Sequence, residues 1–209
     1  MILAALLMLA DPATALDAEL AFAADARENG QWQAFGNWAH EDGILIGRNV
    51  IPAIGFAAAA AENGEPHYAT AWWPSLSVGS CDGRTAFNMG PFFSPGSGAS
   101  GNFHTVWTLT EDGWRYLIDM GLPTADAEMA DDPKIDIASC ANLPQDVSPV
   151  EWESETARGA TGYSDDGSLK WEWRHGIWGE DETPRRSLRT WRWDGEIYIL
   201  VYEAEEMID

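Results

Sequence analysis

GNFHTVWTLTEDGWRYLIDMG, residues 101–121, decides how this chain is read. Phe103, Thr105, Trp107 and Leu109 alternate with His104, Val106 and Thr108, and past Asp112-Gly113 the residues Trp114, Tyr116 and Ile118 alternate with Arg115, Leu117 and Asp119. A period of two sends neighbouring side chains to opposite faces of a strand, and an Asp-Gly pair supplies the left-handed turn of a tight hairpin. The stretch predicts two antiparallel strands. A second unit of the same kind precedes it, with residues 71–80 and 84–89 flanking Asp82-Gly83. Between the hairpins, residues 91–102 (PFFSPGSGASGN) are rich in chain-punctuating types and read as a mobile tip or a lid.

Towards the N-terminus the period lengthens. Residues 16–29 carry Leu16, Leu20, Ala23 and Ala24 on one side and stop at Gly30, the pattern of a helix. A second helix starts at Gln31, sets Trp32, Phe35, Trp38 and Ala39 at spacings of three and four, and ends at Asp42-Gly43. Residues 44–46 then suit a short strand. An Ala-rich run, residues 53–62, closed by Asn63-Gly64, reads as a third helix whose small face permits close packing.

Residues 2–10 are continuously apolar and too short to span a bilayer, and Ala13-Thr14-Ala15 offers the small-x-small pattern of signal cleavage. Residues 1–15 are therefore read as a secretion signal, with a first helical turn tucked into the core as the alternative. Export makes the location periplasmic or secreted and leaves no membrane span once the signal is removed. Cys81 and Cys140 are the only cysteines. In an oxidising compartment they favour a disulfide closing a loop of roughly 60 residues, worth at most about 4 kcal/mol; otherwise they are two free thiols.

Towards the C-terminus, residues 123–167 hold prolines and acids with little apolar periodicity, which suggests an acidic linker or an ordered wrap pinned by Cys140. Alternation returns in residues 168–209, where Trp171 and Trp173 share one face and Lys170, Glu172 and Arg174 the other, predicting an antiparallel β extension. Eight of the twelve basic residues lie between Lys134 and the end, mostly on these tail strands, placed to pair with cross-strand acids such as Glu172 and Glu196.

Across all 209 residues, 12 Lys and Arg face 34 Asp and Glu, a formal charge of −22. Such a field repels phosphate, so nucleic acid and anionic membrane surfaces are poor partners. Twelve tryptophans supply enough apolar area to exclude a disordered acidic chain. No zinc-finger spacing, nucleophile elbow or phosphate loop occurs, and no cofactor is expected. The acids from Asp126 to Asp136 lack the spacing of a dedicated calcium loop, so no metal is expected there either.

The run AELAFAADARENGQWQAFGNWAHED (residues 18–42), then WWP (72–74), SCDG (80–83), GNFHTVW (101–107) and DGWRYLIDMG (112–121), resembles the SnoaL-like branch of the nuclear-transport-factor-2-like superfamily, in particular its secreted bacterial members. The similarity covers about residues 16–122. It implies an α+β fold: an NTF2-like cone of three N-terminal helices packed against a curved antiparallel sheet, here followed by a Trp-rich β extension. A pocket between helices and sheet is implied with it, in a superfamily of isomerases, dehydratases, cyclases, hydrolases and members without known chemistry. The acid that steroid isomerases of this fold place just past the second helix is missing, since Ile46, Gly47 and Arg48 stand there.

His104 and Asp119 are the candidate catalytic pair, because a histidine oriented by a carboxylate serves as an acid/base dyad. One residue of register decides whether they share a face; a cross-strand ion pair on the outer face is the alternative. Trp73, Trp107, Trp38 and Asn88 are candidate ligand contacts. His40-Glu41-Asp42 is read as a helix terminus, where a histidine complements the dipole. Three functions compete on these grounds: a pocket binding a small apolar or neutral molecule, a lyase or isomerase using His104 and Asp119, and a protein interaction module, including a homodimer.

Overall fold

The computed structural model describes residues 12–124, 132–179 and 182–208. Most of the predicted signal segment lies outside these. Thr14 caps α1 (Ala15–Asn29): its hydroxyl accepts from the Asp17 N–H while Asp17 reaches back to the Thr14 N–H. The buried stripe of α1 is Ala15, Ala18, Glu19, Phe22 and Ala26, not the predicted Leu16 and Leu20 side, and Leu20 is 48% exposed. Glu19 sits in the middle of the true stripe, which is why hydropathy alone picks the wrong face.

The second helix, α2 (Gln31–Trp38), ends before the expected Asp42, because residues from Ala39 onward pair with a strand and become β1 (Ala39–Ile46). His40 and Asp42 are therefore strand residues. There follow β2 (Val50–Pro52), α3 (Ala53–Asn63), β3 (Ala71–Trp72), β4 (Leu76–Gly79), β5 (Thr85–Ser94), β6 (Ala99–Thr110), β7 (Gly113–Pro123) and β8 (Lys134–Ile137). Both predicted Asp-Gly hairpins form, and Gly113 turns with φ 95°. The predicted tip or lid is mostly strand, since β5 and β6 stay paired out to Ser94 and Ala99.

These strands build an eight-stranded sheet of order β2-β1-β7-β6-β5-β4-β8, with β3 also pairing β5. It is mixed: β1 runs parallel to β7, and β4 parallel to β8. The tail forms a separate antiparallel sheet of five strands, β9 (Val150–Glu153), β10 (Ala157–Tyr163), β11 (Leu169–Ile177), β12 (Pro184–Trp193) and β13 (Tyr198–Met207). The expected cone, three helices against one curved antiparallel sheet with a strand extension, is thereby overturned. The expected linker over 123–167 also holds β8, β9 and β10.

Three layers result, because the central strands are apolar on both faces. Phe103, Trp107, Trp114 and Tyr116 meet Ala18, Phe22 and Ala34 of the helices. On the other face Val78, Phe87, Val106, Ile118 and Met120 meet Leu169, Trp171 and Leu188 of the second sheet. A disulfide joins Cys81 and Cys140, which is compatible with an oxidising compartment. It holds a segment that reaches the second sheet, where Trp193 Nε1 donates to the Ala141 carbonyl and the Ser139 N–H to that of Trp193. Of the tail arginines, Arg174 pairs with Glu172 at 2.9 Å and Arg189 with Glu203 at 2.6 Å within their own sheet, while Arg192 reaches Asp136 of β8 at 2.8 Å. Among the described residues no helix is long and apolar enough to cross a membrane.

Candidate functional site

The register of β6 against β7 settles the predicted dyad. His104 pairs with Met120 and Thr105 with Asp119. Paired residues share a face and successive ones alternate, so His104 points to the second sheet and Asp119 to the helices. The expected His104–Asp119 dyad is not assembled. His104 is fully buried, and its two ring nitrogens lie 3.0 Å from the Met120 carbonyl and 2.8 Å from the Tyr202 hydroxyl. A carbonyl only accepts, so Nδ1 carries the proton, and Nε2 accepts from Tyr202. Burial lowers the His104 pKa to about 4. The ring is a neutral bridge between sheets.

The four candidate ligand contacts are scattered too. Trp107 is fully buried and donates to Glu19; Asn88, also buried, donates to the Ala15 carbonyl and to Glu19. Trp38 donates to Asp25, and Trp73 is a 42% exposed residue beside His67 and Tyr68. Packed Phe22, Trp72, Trp107 and Tyr116 rings fill the space under α1, so the central hollow expected there is closed.

Beneath the helix lies a group that sequence reading missed. Glu19 is fully buried and accepts from Trp72 Nε1 (2.9 Å), Trp107 Nε1 (2.7 Å), Thr105 Oγ1 (2.5 Å) and Asn88 Nδ2 (3.3 Å). Burial raises its pKa, and these hydrogen bonds offset only part of the rise. The signal was present: Glu19 shares its helix stripe with Ala15, Phe22 and Ala26, and two indoles with polar handles needed acceptors.

An open pocket survives at the edge of the helical layer. About 410 Å³ in volume, it is lined by Trp32 and Phe35 of α2, Phe56 of α3, Leu45 of β1, Ile51 of β2 and Asp119 of β7. Tyr116 fixes the α2 wall by donating to the Phe35 carbonyl at 2.7 Å. Asp119 is half-buried, and among the described residues no group hydrogen-bonds to its carboxyl. Desolvation, helped by the nearby Glu19 charge, pushes its pKa up to about 8. At neutral pH the pocket floor is thus mostly a carboxylic acid, able to donate one hydrogen bond and to exchange a proton.

The second sheet holds the mouth of this pocket. Arg186 Nη1 donates to the Ile46 carbonyl (2.9 Å), His175 Nε2 to that of Arg48 (3.0 Å) and Arg158 Nη2 to that of Val50 (2.7 Å). Three strands of one sheet therefore grip alternate carbonyls across the β1–β2 turn of the other. Among the described residues no cluster of three or more His, Cys, Asp or Glu is arranged to hold a metal ion; Asp126, Glu128 and Asp131 of the acidic run lie outside them.

No family model, no curated protein and no solved structure matches this chain. The resemblance to the SnoaL-like branch rests on the quoted motifs alone.

Proposed function

We propose that this is an exported protein, periplasmic or secreted, that holds a small, largely apolar molecule in the pocket above Asp119. The observation that carries the reading is a concave aromatic wall of Trp32, Phe35 and Phe56 meeting a few polar groups, Asp119, Arg48 and Arg186 among them, the combination that small-ligand sites use. Its volume sits towards the lower end of the roughly 300–1,000 Å³ range of such sites. The cystine between Cys81 and Cys140 supports export.

A second reading is proton-transfer catalysis by Asp119, without His104. What favours it is the acid itself: a carboxyl with no hydrogen-bond partner among the described residues, held near the pH at which a general acid or base works best.

A panel of neutral aromatic fragments, followed by amide chemical shifts of the disulfide-intact protein, tests the main reading. Shifts clustered at Trp32, Leu45, Phe56 and Gly121 are expected. A panel that leaves these four unmoved sinks it. Turnover of a bound carbonyl compound that vanishes in Asp119→Asn, with binding retained, selects the second reading.

A further inference from the structure

The charge lining the Asp119 pocket runs opposite to that of the molecule. Acids outnumber bases 34 to 12 in the chain, yet two of the twelve bases, Arg48 and Arg186, line this cavity against a single acid, Asp119. That acid resists ionisation in its desolvated site. Of the cavities at the seam between the sheets, one presents Glu151 and Glu153 against Arg158, the other Asp42, Glu151 and Asp165 with His40 and no arginine or lysine. Local sign therefore distinguishes the Asp119 pocket.

The two arginines have different tasks. Arg186 is spent on structure, paired with Glu206 at 2.6 Å and bound to the Ile46 carbonyl. Arg48 is exposed at the mouth, and among the described residues no carboxylate comes within ion-pair distance. Its backbone is not loose: the Gly47 N–H closes the turn onto the Asn49 carbonyl, and His175 holds the Arg48 carbonyl from behind. With its backbone held at the mouth, Arg48 offers a guanidinium whose fork matches a carboxylate with two parallel hydrogen bonds.

Building on the small-ligand reading above, we infer that the pocket selects an amphiphilic organic carboxylate. Its anionic end pairs with Arg48 at the mouth, its apolar body lies against Trp32, Phe35 and Phe56, and its far end meets Asp119. The overall negative field opposes such a ligand only weakly, since charges further than about 8 Å are largely screened at physiological salt. Contact with Arg48 acts inside that distance.

Isothermal titration of the intact protein with 2-naphthoate and with methyl 2-naphthoate tests this. The two probes share an apolar body and differ in charge. Wild type is expected to bind the carboxylate about tenfold more tightly than the ester, a difference of about 1.4 kcal/mol. Arg48→Ala, tolerated because the side chain is exposed, should equalise the two by weakening the carboxylate alone, and Arg48→Lys should restore part of the preference. Equal affinities in wild type, or a preference that survives Arg48→Ala, overturn the carboxylate class and leave the pocket reading standing. If neither compound binds wild type, both readings fall.

Discussion

Asp119 faces Thr105 across the β6–β7 ladder, and the Thr105 hydroxyl donates onward to Glu19. Two carboxyl groups thus flank one threonine in opposite circumstances. Glu19 is surrounded by donors, three of which can only donate, while Asp119 has none among the described residues and looks into an apolar pocket. Burial raises the pKa of both, but at Glu19 the donors offset part of the rise, whereas at Asp119 no donor among the described residues does.

Asp119 should cost stability as the pH rises. Its folded pKa, about 8, lies above the ordinary 3.8, so the folded state binds the extra proton between those values and stability falls across that window. Asp119→Asn removes the slope. We expect the variant to be more stable than wild type by about 2 kcal/mol at pH 8, after allowing for the solvent that still reaches the carboxyl, and equal to it near pH 4. Denaturant titrations at the two pH values measure both.

His104 gives a slope of the other sense. Its folded pKa, about 4, lies below the ordinary 6.5, so the unfolded chain binds more protons between them and stability is lost as the pH falls through that range. The full loss is on the order of 3 kcal/mol. Tyr202→Phe removes the donor to Nε2 and should cost about 1–2 kcal/mol at pH 7. It should also shrink the acid loss, because a ring nitrogen left without its donor accepts a proton more readily. Melting temperatures of both proteins between pH 4 and 7 decide this.

Glu19→Ala strips Trp72 Nε1 of its acceptor inside the helical layer and takes one acceptor from Trp107 Nε1, which keeps Thr105 Oγ1, and from the Asn88 amide, which keeps the Ala15 carbonyl. A loss of at least about 3 kcal/mol is expected, more than an alanine elsewhere on α1 would bring. Glu19→Gln keeps the shape and removes the charge that repels ionisation of Asp119. An Asp119 carboxyl titration by ¹³C NMR that moves to lower pH in Glu19→Gln is the expected sign.

Gly121 lies on the helix-facing side of β7, in line with Asp119, and a Cβ there meets only the Phe92 ring, at 3.5 Å. Gly121→Val should fill the pocket floor, abolish fragment binding and leave the melting temperature unchanged or higher, since a β-branched residue suits a strand. Retained binding in a folded Gly121→Val protein would place the ligand elsewhere.

Reducing the Cys81–Cys140 bond should cost about 2–4 kcal/mol, a loop of 59 residues in separation being freed in the unfolded chain. Cys140→Ser should lower the melting temperature by the same amount as reduction.

The chain alone determined the elements whose signals are local. Alternation about Asp82-Gly83 and Asp112-Gly113 specified two hairpins, and the Ala-rich runs specified α1 and α3, whereas the even cysteine pair left a cystine and two free thiols both open. What it did not determine was where each face would go. A period of two states that His104 and Asp119 differ or agree in facing only once the register is known, and a bulge in the β6–β7 pairing beside Val106 and Trp107 shifts that register by one residue, so that Thr105 and not His104 faces Asp119. The apolar residues on both faces of β6 were visible, yet nothing local said that helices would cover one face and a second sheet the other. Glu19 needed Trp72, Trp107, Thr105 and Asn88 brought from three strands before its burial made sense. Likewise the grip on Ile46, Arg48 and Val50 joins positions more than a hundred residues apart. Local propensity is written residue by residue, whereas burial and the pKa it shifts belong to the assembled layers, where desolvation is a property of everything packed around a group.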